Sequence, residues 1–157
     1  MLGDALFAGT VEIDGALYQL PAPGSAFLDN GWEFYNKPGF LAAGAADQIT
    51  LAKGEQKLNA RVQNLAEVQT LTENCVVYEV EADGKTLSSA KLPQGVELGT
   101  AKSAVDGLGI EFYTNEYSDY FYYNTTDKDT NVSIGIRIGT ESQKVELFRI
   151  EHREWNY

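Results

Sequence analysis

Over several stretches of the chain apolar and polar residues alternate with a period of two, the spacing that sends successive side chains to opposite faces of a β-strand. The clearest case is "NVSIGIRIG": Val132, Ile134, Ile136 and Ile138 point one way, and Ser133, Gly135, Arg137 and Gly139 the other. One face of such a strand belongs on a core, and the other is nearly bare. "LNARVQNL" repeats the pattern with Leu58, Ala60 and Val62 inward, and "QITLAKGE" before it reads as the other arm of a hairpin. "CVVYEVEA" and "KVELFRIEHREW" are two further strands that match one another. Asp14-Gly15 and Asp83-Gly84 each follow an alternating run, Val11 and Ile13 in the first case and Val76, Tyr78 and Val80 in the second. Asp-Gly between such runs predicts a tight hairpin turn at both places.

After each Asp-Gly comes Leu-Pro, then a short helical stretch, a Gly, and Glu-Phe-Tyr: Leu20 to Tyr35, and again Leu92 to Tyr113. In the first stretch Ser25 is the expected N-cap, Phe27 and Leu28 the apolar contact, and Gly31 the stop. In the second, Thr100 is the expected N-cap, Val105 and Leu108 share a face, and Gly107 or Gly109 closes the helix. The offset between the copies is 72 residues at the Leu and 78 at the Glu, so the second carries about six extra residues in its helix region. The expected architecture is α+β, with two tandem repeats, about 9–82 and about 83–157. Each repeat is a short helix packed on antiparallel strands, and together they form one shared sheet covered by helices on one face only. No linker rich in Pro, Gly or Ser divides them, so the repeats form a single domain.

Bulk composition narrows the function classes. At 157 residues the chain can bury a sizeable core without disulfides or metals, and 43% hydrophobic with 22% charged residues is ordinary for a globular protein. With 12 basic against 23 acidic residues the net charge is −11, which repels a phosphate backbone and an anionic membrane surface and argues against nucleic acid as partner. Cys75, the single cysteine, has no disulfide partner and sits in a strand-like run, where it reads as a small buried hydrophobe. No apolar run approaches the ~20 residues of a transmembrane helix, and "MLGDALFAG" lacks the basic start of a signal peptide. Either the protein is cytosolic, or the sequence begins after a removed export segment.

The stretch "VELGTAKSAVDGLGIEF" resembles the β-lactamase-inhibitor-protein-like and outer-membrane-assembly-lipoprotein-like domains in its Gly99, Thr100, Val105, Leu108-Gly109 and Phe112-Tyr113. "GTVEIDGALYQLP", "NGWEF" and "NCVVYEV" are similar in style to uncharacterised secreted or lipid-anchored domains of Gram-positive bacteria. The resemblance implies a concave sheet presented to another macromolecule, no catalysis, and an extracytoplasmic location, through export or through a lipid anchor upstream of residue 1.

Catalytic and metal chemistry finds little footing. "DKDTN" sets Asp127, Asp129 and Asn131 at the one-three-five spacing with which calcium loops begin, but Val132 stands where the turn needs Gly and Ile138 where a bidentate Glu must close the site. It reads as a solvated hairpin tip, so no metal and no cofactor is expected. His152 is the only histidine and reads as structural or surface. "GLG" at Gly107 to Gly109 follows a helix, the wrong polarity for a phosphate site. Carboxylate pairs such as Glu111 with Glu116, or Asp119 with Glu154, leave a glycoside-type hydrolase as an alternative. A purely structural domain of a cell-surface protein is another.

What stands out is "YTNEYSDYFYYN", Tyr113 to Asn124. In a strand Tyr120 and Tyr122 share one face and Phe121 and Tyr123 the other, so rings occur on both sides of the sheet. A helix-covered sheet hides only one set. Tyrosine suits a wet binding surface, since its ring packs while its hydroxyl stays hydrated. The expected function is a binding module for a protein or cell-surface glycan, using Tyr120, Tyr122, Trp155 and Tyr157 with Arg137 and Arg153 as polar contacts.

Overall fold

The computed structural model describes residues 2–153. A 3₁₀ turn at Leu6–Ala8 leads into a hairpin of β1 (Thr10–Ile13) and β2 (Ala16–Gln19), in which Ile13 faces Ala16. Asp14 and Gly15 between them both have positive φ, 49° and 80°, the conformation whose twist matches that of the flanking strands. Next come β3 (Ala22–Pro23), helix α1 (Gly24–Asp29), β4 (Glu33–Tyr35) and β5 (Phe40–Leu41). The long hairpin β6 (Ala46–Lys53) and β7 (Gln56–Gln63) follows. After β8 (Thr70–Leu71), which pairs with β5 in a separate ribbon, the chain runs through β9 (Val76–Asp83), β10 (Ala90–Lys91) and helix α2 (Lys102–Asp106). It ends in the antiparallel meander β11 (Tyr113–Glu116), β12 (Tyr120–Asp127), β13 (Val132–Gly139) and β14 (Val145–His152).

The fold is accordingly α+β, mostly antiparallel sheet with two short helices. The main sheet runs β11-β12-β13-β14-β9-β7-β6-β4 from edge to edge, with β3 added alongside β9. Each helix is followed by four strands of this path, and both sets run from an edge to the centre, where β9 meets β14. The β9–β14 register places Glu81 opposite Arg149, with Leu147 facing Asp83 on one side and Glu151 facing Glu79 on the other. Both halves of the sheet also carry an irregularity at matching places. The β7–β9 register shifts between Arg61 and Val62, and the β13–β14 register between Arg137 and Ile138. Such a shift inserts an extra residue in one strand and re-aims its side chain.

Three local expectations are corrected. Asp83-Gly84 makes no hairpin: the amides of Thr86 and Leu87 both donate to the Asp83 carbonyl, and the chain continues to β10, which pairs with β1. The turn type loses here because the better partner for β10 lies in another part of the chain. Ser25 is inside α1, behind Pro23 at the N-cap. Thr100 caps no helix either; its hydroxyl accepts from the Glu97 amide and lies 3.2 Å from the Gly95 carbonyl, fixing the loop before α2. The extra residues of the second helix region form that loop, with a 3₁₀ turn at Pro93–Gly95 and a bridge between Lys91 and Glu97.

The core lies on one face of the main sheet. Val132, Ile134, Ile136 and Ile138 of β13 meet Phe148 and Ile150 of β14, Val80 and Ala82 of β9, and Leu58, Ala60 and Val62 of β7, all buried. α1 closes this layer with Phe27, whose ring stacks on Tyr18 at 4.1 Å, and α2 closes it with Val105. The β1–β2 hairpin adds Val11 and Ile13, and Trp32 fills the turn after α1. His152 continues the core parity of β14, buried with Nδ1 2.7 Å from the Leu20 carbonyl oxygen. Cys75 is buried just before β9, and burial pushes its thiol pKa up, away from the reactive thiolate.

Candidate functional site

The other face of the main sheet carries every second residue of the same strands. From β13 come Ser133, Gly135, Arg137 and Gly139; from β12, Tyr120, Tyr122, Asn124 and Thr126; from β11, Tyr113 and Asn115. Across the centre follow Arg149 and Glu151 of β14, Glu79 and Glu81 of β9, Asn59 and Arg61 of β7, Gln48 and Thr50 of β6, and Tyr35 of β4. Both helices and the small hairpin contribute their buried residues to the core cluster on the opposite side. The face is therefore open. Tyr113 is 69% exposed and Tyr35 55%, near its two edges.

All four arginines of this strongly acidic chain, Arg61, Arg137, Arg149 and Arg153, lie on this one face. Arg61 Nε donates to the Tyr78 hydroxyl at 3.1 Å. Tyr78 is the extra residue at the β7–β9 register shift, which turns its ring away from the main core to this side. The Arg153 guanidinium lies 4.0 Å from the centre of that ring, a cation–π contact that with Arg61 buries Tyr78 although no helix covers it. Arg153 Nε is also 3.6 Å from Glu151 Oε1. Arg149 Nη1 reaches Glu79 Oε1 at 3.0 Å and Glu151 Oε2 at 3.4 Å.

Glu79 and Glu151 face one another across β9 and β14. Burial first of all raises the Glu79 pKa, and the nearby Glu151 adds to this; the Arg149 guanidinium opposes both without cancelling them. Burial also disfavours the charge on Arg149, but the Tyr122 hydroxyl and Glu79 outweigh it, so its pKa stays above the usual arginine value. Arg137 stands at the second register shift, with Nε 4.0 Å from Glu146 Oε1 and the guanidinium 5.6 Å from the Tyr120 ring centre. Tyr120 in turn packs on Tyr117 at 4.8 Å.

Gly135 explains the seat of Tyr122. A methyl group there would fall on the Tyr122 hydroxyl, so the ring lies down across the glycine. Tyr120, Tyr122 and Arg137 are thus brought together, with Tyr122 directly opposite Arg137. Arg153 shares their face but sits over Tyr78, beyond β14. Trp155 and Tyr157 lie outside the described residues, as does Glu154. The reading from sequence missed Arg61, Tyr78, Glu79 and Arg149. The outward parity of "ELFRIEH" and "YEVEA" contains Arg149, Glu79 and Glu81, but which strands lie side by side is not written in it.

Among the described residues no group of three or more His, Cys, Asp or Glu is placed to hold a metal ion. Asp127 and Asn131 belong to the β12–β13 turn, where Thr130 donates to Asp127 Oδ2 at 2.6 Å and Asn131 takes a φ of 60°. No described helix is long and apolar enough to cross a membrane. No family model, curated protein or solved structure matches the chain.

Proposed function

We propose that the chain is a non-catalytic binding module whose open sheet face receives a protein partner outside the cytoplasm. The carrying observation is the gathering of all four arginines with Tyr35, Tyr113, Tyr120 and Tyr122 on one uncovered face. Tyrosine and arginine dominate interface hot spots because each pairs a large, stiff contact area with hydrogen-bonding groups. This arginine content favours a protein over the glycan, the other ligand class the aromatic strand suggests. The extracytoplasmic setting rests on the likeness to secreted and lipid-anchored domains.

We propose further that the chain is two copies of one unit, about 9–82 and about 83–157, that share the sheet. Two features support duplication: the edge-to-centre strand order behind each helix, and the register shifts after Arg61 and Arg137, each the sixth residue of its eight-residue strand. Glu79 beside Glu151 is an arrangement that favours the alternative of paired-acid hydrolysis. Arg149 at 3.0 Å from Glu79 makes the pair an internal ion-pair network, which is the reading preferred here.

Photo-crosslinking tests the reading. Benzoylphenylalanine at Tyr113 or Tyr120 should trap one and the same protein in the cells that make the chain, and at Leu28, on the helix side, should not. Adducts from Leu28 alone, or none from the open face, would remove the proposal and leave a purely structural domain.

A further inference from the structure

The two halves of the open face are built on the same register but are filled differently. Turning the sheet about the Glu81–Arg149 pair exchanges β7 with β13 and β6 with β12. Arg61 then takes the place of Arg137, since both precede a register shift, and Gln48 opposite Arg61 takes the place of Tyr122 opposite Arg137. Two residues back, Asn59 takes the place of Gly135. On the β13 side the Tyr122 ring lies across Gly135, its hydroxyl directed at Arg149. On the β7 side the matching space is empty: a cavity of about 240 Å³ lined by Gln48, Asn59, Arg61, Glu79, Glu81 and Arg149.

We infer that this cavity is a receptor for one tyrosine side chain of the partner, which fills on the β7 side the place that Tyr122 fills on the β13 side. The inference rests on the reading of the open face as a binding face. The lining suits a phenol. Arg61 and Arg149 offer guanidinium planes on which a ring stacks, and Asn59, Gln48 and Glu81 offer hydrogen-bonding groups to its hydroxyl. Glu79 is tied to Arg149 at 3.0 Å, whereas among the described residues Glu81 has no such ion pair, so an acceptor is left for a hydroxyl donor. A phenylalanine ring would forgo the hydrogen bond of the hydroxyl, worth about 1 kcal/mol where water can replace it, which is a severalfold difference in affinity.

The probe is N-acetyl-tyrosinamide, titrated into the full chain by ¹⁵N NMR, with N-acetyl-phenylalaninamide and methyl glucoside as comparisons. A ligand of this size in an open cavity should bind with a dissociation constant on the order of millimolar. The expected result is saturable shifts centred on Asn59, Arg61 and Glu81, at least severalfold weaker for the phenylalanine analogue and absent for the glucoside. The double variant Gln48→Tyr/Asn59→Gly, which reproduces the arrangement at Tyr122 and Gly135, should fill its own cavity and lose the response while keeping a folded spectrum. Asn59→Trp blocks the cavity by bulk and should act likewise if the double variant does not fold. Equal response to both amides, preference for the glucoside, or no saturable shift would overturn the inference. Because no partner enters this titration, its failure is separate from failure of the crosslinking.

Discussion

Single residues decide how the open face is furnished. Gly135 is the clearest: it is needed not for its backbone but because the Tyr122 hydroxyl occupies the space of a side chain there. Gly135→Ala should push the ring out and cost about 1–3 kcal/mol in chemical denaturation, as overpacking does. In Tyr122→Ala the same glycine change should cost far less, and a double-mutant cycle reads this coupling directly. Glu79 sets a pH signature. Its folded-state pKa is raised above the unfolded value, so the folded chain binds its proton more tightly and the group opposes folding at neutral pH. As the pH falls through the raised Glu79 value toward the ordinary carboxylate range, the wild type should gain stability relative to Glu79→Gln. Parallel stability curves for the two proteins over that range would show that the pKa is not raised.

At the scale of elements, period-two alternation was a sound guide and local turn chemistry an uneven one. β6, β7, β13 and β14 lie where the alternation of "QITLAK", "LNARV", "VSIGIRI" and "VELFRIE" puts them, because a half-buried strand in a wide sheet needs that pattern, and β9 lies at "VVYEVEA" but breaks the expected alternation of Val76, Tyr78 and Val80 at its register shift, which sends Tyr78 to the other face. Asp14-Gly15 made its hairpin, but Asp83-Gly84 did not, because β1 offered β10 a partner from more than 70 residues away. Neither expected N-cap caps its helix: α1 and α2 are a turn or so long and are held by burial of Phe27 and Val105 without a side-chain hydrogen bond at either N-cap. α2 has one further tie, from Tyr123 of β12, whose hydroxyl donates to Asp106 Oδ1 at 2.6 Å, while Lys102 Nζ holds Oδ2 at 2.9 Å. Tyr123→Phe should cost about 1 kcal/mol, a fall of about 2–4 °C in Tm for a chain of this size. The Tyr123 bond, then Lys102, lowers the Asp106 pKa, so this contribution is present above the usual aspartate range and is lost as pH falls through the lowered value. The difference between wild type and Tyr123→Phe should shrink in acid.

At the scale of the molecule, the main sheet has one face sealed by the two helices and the small hairpin, and no described helix lies over the other. The sealing was legible in "NVSIGIRIG", and so was the division of rings in "YFYY": Tyr123 is buried and Tyr122 lies on the open side. The arginine network at the centre was not, because it depends on β9 meeting β14 and on a one-residue register shift that turns Tyr78 outward, and both are long-range outcomes of packing. The central claim is that the open side meets a partner. The most direct measurement is the affinity of the crosslinked protein for the wild-type chain and for Tyr120→Ala/Tyr122→Ala, with Leu28→Ala as the change on the helix side and circular dichroism to show that each is folded. The expected result is at least a tenfold loss for the double variant, about 1.4 kcal/mol or more, and no change for Leu28→Ala. Equal affinity for all three would contradict it.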